Sequence, residues 1–286
     1  MRITVLSNRD LPSCVALNHL LPQLTEHEVC VFLSAQVGSA KAQSGNGENG
    51  SKATPEALRQ LKFFEQDLFN QVVFPLAEAA LQASENVAQP ELLTFRGLEK
   101  SLSGSIEELN DINGAGLERF RASTPDLVLS IRYGVILHEA AIAVPPQGVL
   151  NLHSGLLPEY RGVMASFRAL QAGDAELFTT LHMIDDPGID TGRILGYSPL
   201  ARDPRKSYLW HVLKLYRGGC EKLAEAVQKI SAGEVLEGTP QASLAKSGAY
   251  YSFPNQQELD AFYASGLRLV DTEEVTELAR RFSHER

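Results

Sequence analysis

Two short stretches gather the side chains that could do chemistry. The first, "NLHSGLLPEYRG" at residues 151–162, places an amide, an imidazole and a hydroxyl (Asn151, His153, Ser154) within four positions, then breaks into a turn punctuated by Pro158 and Gly162. An Asn amide donates a fixed hydrogen bond, and an imidazole donates, accepts or carries charge near neutral pH. Together they can hold a carbonyl oxygen, and donors fixed in a dry cleft stabilise the oxyanion formed on attack far better than water does. A carboxylate is still required. The second stretch, "HMIDDPGIDTG" at residues 182–192, supplies Asp185, Asp186 and Asp190 in a Gly- and Pro-containing turn after a strand-like run.

Each of these residues also has a plainer reading. A single strand histidine is more often a satisfied structural group than a catalyst, an Asn can merely cap a turn, and Asp is common wherever Gly follows in a loop. Ser154 lacks the G-x-S-x-G elbow of a serine nucleophile and falls on the opposite pleat face from His153 if the strand persists. His182 either lines the same crevice or supports the Asp loop. Arg132, inside an apolar run, needs a partner, either a structural carboxylate or an anionic part of a ligand.

The elements that position these groups read as an α/β fold. "RITVL" and "EVCVFLS" are short β-branched runs separated by a helically spaced segment, a strand-helix-strand opening. Residues 36–53 are small and polar, expected to form a mobile loop. "TPEALRQLKFFEQDLFNQVVFPLAEAALQ" carries a long helical pattern with an expected kink near Pro75. "PDLVLSIRYG" and "GVLNLHS" are near-continuous apolar runs suited to buried parallel strands, and "TTLHMI" is a further strand. Such a chain specifies an open, mostly parallel sheet with helices on both faces, which binds ligands at the carboxyl ends of its strands. Residues 1–205 form the expected catalytic domain. Residues 206–286 form a mixed C-terminal extension that opens with a long helix, weak at Gly218 and Gly219, and could carry a homodimer contact.

Composition narrows the partners. A net charge of -9 over 286 residues argues against a surface built to neutralise phosphates. Cys14, Cys30 and Cys220 are widely spaced with no CxxC pair, so neither a disulfide framework nor a zinc site is expected, and a reducing cytoplasm fits. "MRITVLSNRD" turns polar after its sixth residue, and no apolar run approaches a membrane span, so a soluble, unexported protein is expected.

The linked motifs "LNLHSGLLPEYRG" and "LHMIDDPGIDTG" resemble the folate-dependent formyltransferases that act on glycinamide ribonucleotide, methionyl-tRNA and amino sugars. The resemblance implies a Rossmann-like formyltransferase domain and formyl transfer from 10-formyltetrahydrofolate to an amine, with no metal. Asn151 and His153 would stabilise the oxyanion, and Asp190 would manage protons. The segment Ile131, Arg132, Tyr133, Gly134, Val135, Ile136 and Leu137 looks like the family's pterin-lining strand and loop, with Asp185, Asp186 and Gly188 on the second loop. That second loop looks expanded relative to the family. Ser7, Asn8, Arg9 and Arg161 are placed toward the acceptor by the same resemblance, although the phosphate cradle of the purine-pathway members is absent from "SNRDLPS". The short tail disfavours tRNA and leaves a small-molecule amine as acceptor. Water as acceptor, making the protein a hydrolase, or folate binding without turnover, are the other readings.

Overall fold

The computed structural model describes residues 1–35, 54–83, 90–246 and 248–283. The polar stretch 36–53 lies outside them.

A seven-stranded sheet organises the chain in the order β3-β2-β1-β4-β5-β7-β8. Its strands are β1 (Arg2–Asn8), β2 (Glu28–Ser34), β3 (Ile106–Glu108), β4 (Leu127–Ser130), β5 (Val149–His153), β7 (Glu176–Met183) and β8 (Ile194–Ala201). The first five run parallel, whereas β7 pairs antiparallel with β5, and β8 antiparallel with β7. The sheet is thus mostly parallel, as the apolar runs predict, with an antiparallel edge that they do not distinguish. A separate ribbon pairs β6 (Tyr160–Gly162) in parallel with β9 (Ala249–Tyr251).

Alternation along the strands divides the core in two. Ile3, Val5, Leu150 and Leu152 face one layer, built on α1 (Leu11–Leu20) and α8 (Tyr208–Ser231). Leu6, Val128 and Val149 face the other, with Phe120 from α5 (Leu117–Ala122) and Ala141 from α6 (Glu139–Ile142). Residues beyond 205 do not form a separate core. Leu215, Leu223 and Val227 of α8 share the first layer with Leu259 and Phe262 of α9 (Gln256–Ala264) and Val275 of α10 (Thr272–Arg280).

Two helices depart from their expected form. The helical run from α2 (Glu56–Lys62) to α3 (Phe74–Ala83) widens into π turns at Phe63–Asp67 and Phe69–Val73, just ahead of Pro75. A proline ring crowds the carbonyl four residues before it, and a wider turn relieves that clash without a break. The 24-residue α8 is unbroken at Gly218 and Gly219. A Cβ at Gly218 would lie 2.4 Å from Ser198 Oγ, and one at Gly219 2.8 Å from Thr179 Oγ1. The glycine pair is therefore a place of close helix–sheet contact rather than a weak point.

Candidate active site

Asn151 and His153 are two residues apart on β5 and share one face of the sheet, while the residues paired with them on β7, His182 and Thr180, face the same way. The groups thus lie on a sheet face rather than beyond a strand tip. Thr180 fixes the turn that follows β5: its hydroxyl donates to Gly155 O at 2.6 Å and accepts from Leu157 N–H at 3.1 Å. This turn delivers β6 to the site. His153 Nε2 donates to Tyr160 O at 2.7 Å, because a carbonyl can only accept.

Asp190 folds over the same face from the loop between β7 and β8. It adopts a left-handed backbone, φ 54°, which Asp tolerates better than most residues. Its Oδ2 accepts the Gly162 N–H at 2.8 Å and lies 3.6 Å from His153 Nδ1, while Oδ1 lies 3.6 Å from His182 Nε2. Burial alone would raise this carboxyl. The facing His153 ring and the Gly162 N–H, which donates to Oδ2, outweigh that and hold it at about 2. Two residues on, a Cβ at Gly192 would sit 1.8 Å from Met183 O, so only glycine lets the loop close against β7.

His182 completes the constellation. Its Nδ1 donates to Met183 O at 2.8 Å, which leaves Nε2 to accept the Asn151 amide at 2.9 Å. The hydrogen-bond partners assign this tautomer. Asn151, His182, Asp190 and His153 thus form one connected set across β5, β7 and the loop. The sequence offers His182 as lining or support. The structure makes it the residue that orients Asn151.

The acceptor-side candidates stand elsewhere. Ser7 and Asn8 are completely buried, with Ser7 Oγ donating to Ile131 O at 2.9 Å and Asn8 Nδ2 to Asp10 Oδ2 at 3.2 Å. Their polar groups serve the end of β1 and do not face a cleft. Arg9 reaches Glu108 at 2.8 Å, near the surface. Arg161 Nη2 lies 3.4 Å from Gly248 O, beside the site on β6.

The candidate pterin segment divides into core and rim. Ile131 and Leu137 have their side chains buried in the two core layers. Arg132 finds structural carboxylates: two of its nitrogens lie 2.8 and 3.0 Å from Asp10 Oδ2, and Nη2 lies 3.5 Å from Glu65. Burial pushes Glu65 up to about 7, against the pull of Arg132, with Asp10 adding to the rise. Neither Asp10 nor Glu65 stands out in the sequence. The rim consists of half-buried Tyr133, Gly134 and Val135 and exposed Ile136, with Tyr133 Oη donating to Leu109 O at 2.6 Å. On the other loop, Asp185 holds Arg193 at 3.1 Å, and Asp186 Oδ1 accepts the Gly188 N–H at 2.6 Å. Ile189 is exposed there. Each loop therefore carries an exposed isoleucine beside polar groups that are fixed within the loop. Among the described residues, no group of three or more His, Cys, Asp and Glu could hold a metal, and no helix is long and apolar enough to cross a membrane.

Residues 75–201 match the family model described as formyl transferase, a span that contains Asn151, His153, His182 and Asp190. This central segment is similar to the formyl transferase family. The chain is 34% identical over 168 residues to a methionyl-tRNA formyltransferase of Herminiimonas arsenicoxydans, covering 58% of this chain and 48% of that protein. It is 35% identical over 122 residues to the one from Kosmotoga olearia, covering 43% of this chain and 39% of that protein. The matches thus span less than half of each relative's length. In fold, the chain is similar to a 4-N formyltransferase from Francisella tularensis, with TM-score 0.53 at 12% identity, covering 91% of this chain and 86% of that one. It is also similar to a phosphoribosylglycinamide formyltransferase from Anaplasma phagocytophilum, with TM-score 0.51 at 16% identity, covering 87% of this chain and 98% of that one. The architecture is that of the Rossmann-like formyltransferases.

Proposed function

We propose that the protein transfers the formyl group of 10-formyltetrahydrofolate to the amine of a small-molecule acceptor. The observation that carries this reading is the connected set Asn151–His182–Asp190–His153, which sits within the formyl transferase segment. The folate supplies an activated formyl carbon on a nitrogen leaving group, and the pterin would lie against Tyr133–Ile136 and the loop carrying Asp185, Asp186 and Gly188.

The chain's part is to bind charge and move protons. One Asn151 amide hydrogen is committed to His182, which fixes the direction of the other toward the formyl oxygen. As the amine adds, negative charge builds on that oxygen, and His153 Nε2–H leaves the Tyr160 carbonyl to meet it. Asp190, held at about 2, is a weak base near neutral pH. Its role is to face His153 Nδ1 across 3.6 Å and hold the ring in place, and the amine's proton passes through a water toward the folate nitrogen as the carbon–nitrogen bond breaks. A new amide bond forms, and tetrahydrofolate leaves with that proton.

The net charge of -9 favours a small amine over tRNA, although the curated relatives are methionyl-tRNA formyltransferases. The test incubates the protein with 10-formyltetrahydrofolate alone, with pooled small amines including nucleotide-linked amino sugars, and with aminoacylated initiator tRNA, following tetrahydrofolate and product mass. A one-formyl mass gain on a small amine supports the reading. Formylation of tRNA alone replaces the acceptor, formate release without amine makes water the acceptor, and binding without turnover rejects the reaction.

A further inference from the structure

The chain beyond α8 returns to the active site on the side of the Asp190 loop. Thr239 and Ile194 exchange two backbone hydrogen bonds, Ile194 N–H to Thr239 O at 2.9 Å and Thr239 N–H to Ile194 O at 2.8 Å. Thr239 is thereby laid beside the start of β8. Two residues later, Gln241 Nε2 stands 2.8 Å from Asp190 O and 2.8 Å from Gly192 O. Both partners are carbonyls and can only accept, so the amide nitrogen must face them, and its two hydrogens are spent on them. These carbonyls bracket the turn at which Asp190 takes its left-handed backbone, φ 54°. A non-glycine residue stays in that conformation only when its surroundings over-determine it.

We propose that Gln241 is a positioning residue for Asp190: by tying the Asp190 and Gly192 carbonyls together, it holds the Asp190 carboxylate between His153 and His182. Gln241 lies outside the segment of family similarity, residues 75–201. The inference rests on the reading of Asp190 as the charge partner of His153, and it assigns part of the active-site geometry to the tail. The chemistry of the contact is specific. It asks for a group with two or more donors and no requirement for an acceptor, a description that Gln and Lys meet and that Glu and Ala do not.

The test compares Gln241→Ala, Gln241→Glu and Gln241→Lys in the full chain. Carbon-13 NMR of labelled aspartate carboxyls, with the Asp190 signal assigned by its loss in Asp190→Asn, reads the position of the carboxylate without using catalysis. In the wild type, Asp190 should stay ionised at pH 3. In Gln241→Ala and Gln241→Glu it should titrate near the ordinary carboxyl range of about 4, and Gln241→Lys should restore the wild-type signal. Turnover with 10-formyltetrahydrofolate should follow the same order, with kcat falling tenfold or more in the first two variants at an unchanged KM for folate. An Asp190 signal still ionised at pH 3 in Gln241→Ala overturns the proposal, as does a Gln241→Glu variant with wild-type behaviour if Gln241→Ala does not fold. A wild type without turnover whose Asp190 nonetheless moves in Gln241→Ala keeps the clasp and rejects the reaction. Turnover with an unmoved Asp190 keeps the reaction and rejects the clasp.

Discussion

His153 Nδ1 faces Asp190 Oδ2 at 3.6 Å while the opposite ring nitrogen, Nε2, is bonded to the Tyr160 carbonyl at 2.7 Å. A ring with its proton only on Nε2 would turn a lone pair toward the carboxylate. A second proton, on Nδ1, converts that repulsion into an ion pair. The carboxylate therefore matters through the ring it faces. Asp190→Asn should lower kcat by about 10² or more while leaving folate binding in place, and His153→Ala should cost at least as much, since single oxyanion donors are typically worth about 10² to 10³. Steady-state kinetics with circular dichroism to verify folding check both, and unchanged turnover in either variant refutes its role.

His182 gives Asn151 its direction. His182→Leu removes the acceptor for the Asn151 amide and leaves that half-buried group short of a partner. The expected outcome is a kcat reduced by roughly tenfold and a stability loss of about 1–3 kcal/mol, measured by turnover and by urea unfolding. A variant that loses stability at full kcat would make His182 a purely structural residue.

Asp190 also links stability to pH. Its native carboxyl sits at about 2, below the ordinary value of 3.8, so its contribution is fully present above the ordinary value and is lost as pH falls toward 2. Asp190→Asn should remove about 2 kcal/mol of the wild-type difference in unfolding free energy between pH 6 and the low-pH end of that window. Equal pH dependence in both proteins would contradict the electrostatic account.

Glu65 has the opposite sign. Its native carboxyl is raised to about 7 from 4.5, so the favourable contribution exists below the ordinary value and is lost as pH rises through about 7. Glu65→Gln should flatten the stability profile between those limits and be more stable than the wild type above pH 7, as read from urea midpoints across pH.

Gly192 has no room for a side chain. Gly192→Ala would press a methyl onto the Met183 carbonyl and should lower stability by about 3 kcal/mol or more, detected by thermal unfolding. A wild-type midpoint would mean that the loop can open without cost.

The chemistry was legible where residue type and short spacing determine it. Asn151 and His153 two apart on an apolar strand, and Asp190 ahead of Thr191 and Gly192, mark the candidate site without any structure. What a linear pattern does not carry is pairing across distance. Gln241 lies 51 residues from Asp190, and Arg132 lies 122 from Asp10, so neither contact has a local signal. For the same reason Ser7 and Asn8, at the end of β1, read as open to an acceptor until Ile131 and Asp10 are seen to use their polar groups. The antiparallel edge was hidden because a strand covered on both faces reads alike in either direction.

The pairing of β5 with β7 sets Asn151 directly opposite His182, and a register irregularity between Leu181 and His182 shifts the pairing of β7 with β8. Side chains along a strand alternate with period two. One residue gained or lost in β7 would send His182 to the opposite layer, among the leucines that pack on α8, and bring an apolar neighbour against Asn151. A change of length in β7 ahead of His182 would therefore cost the site its histidine, whereas a substitution at a neighbouring position would leave that histidine facing Asn151.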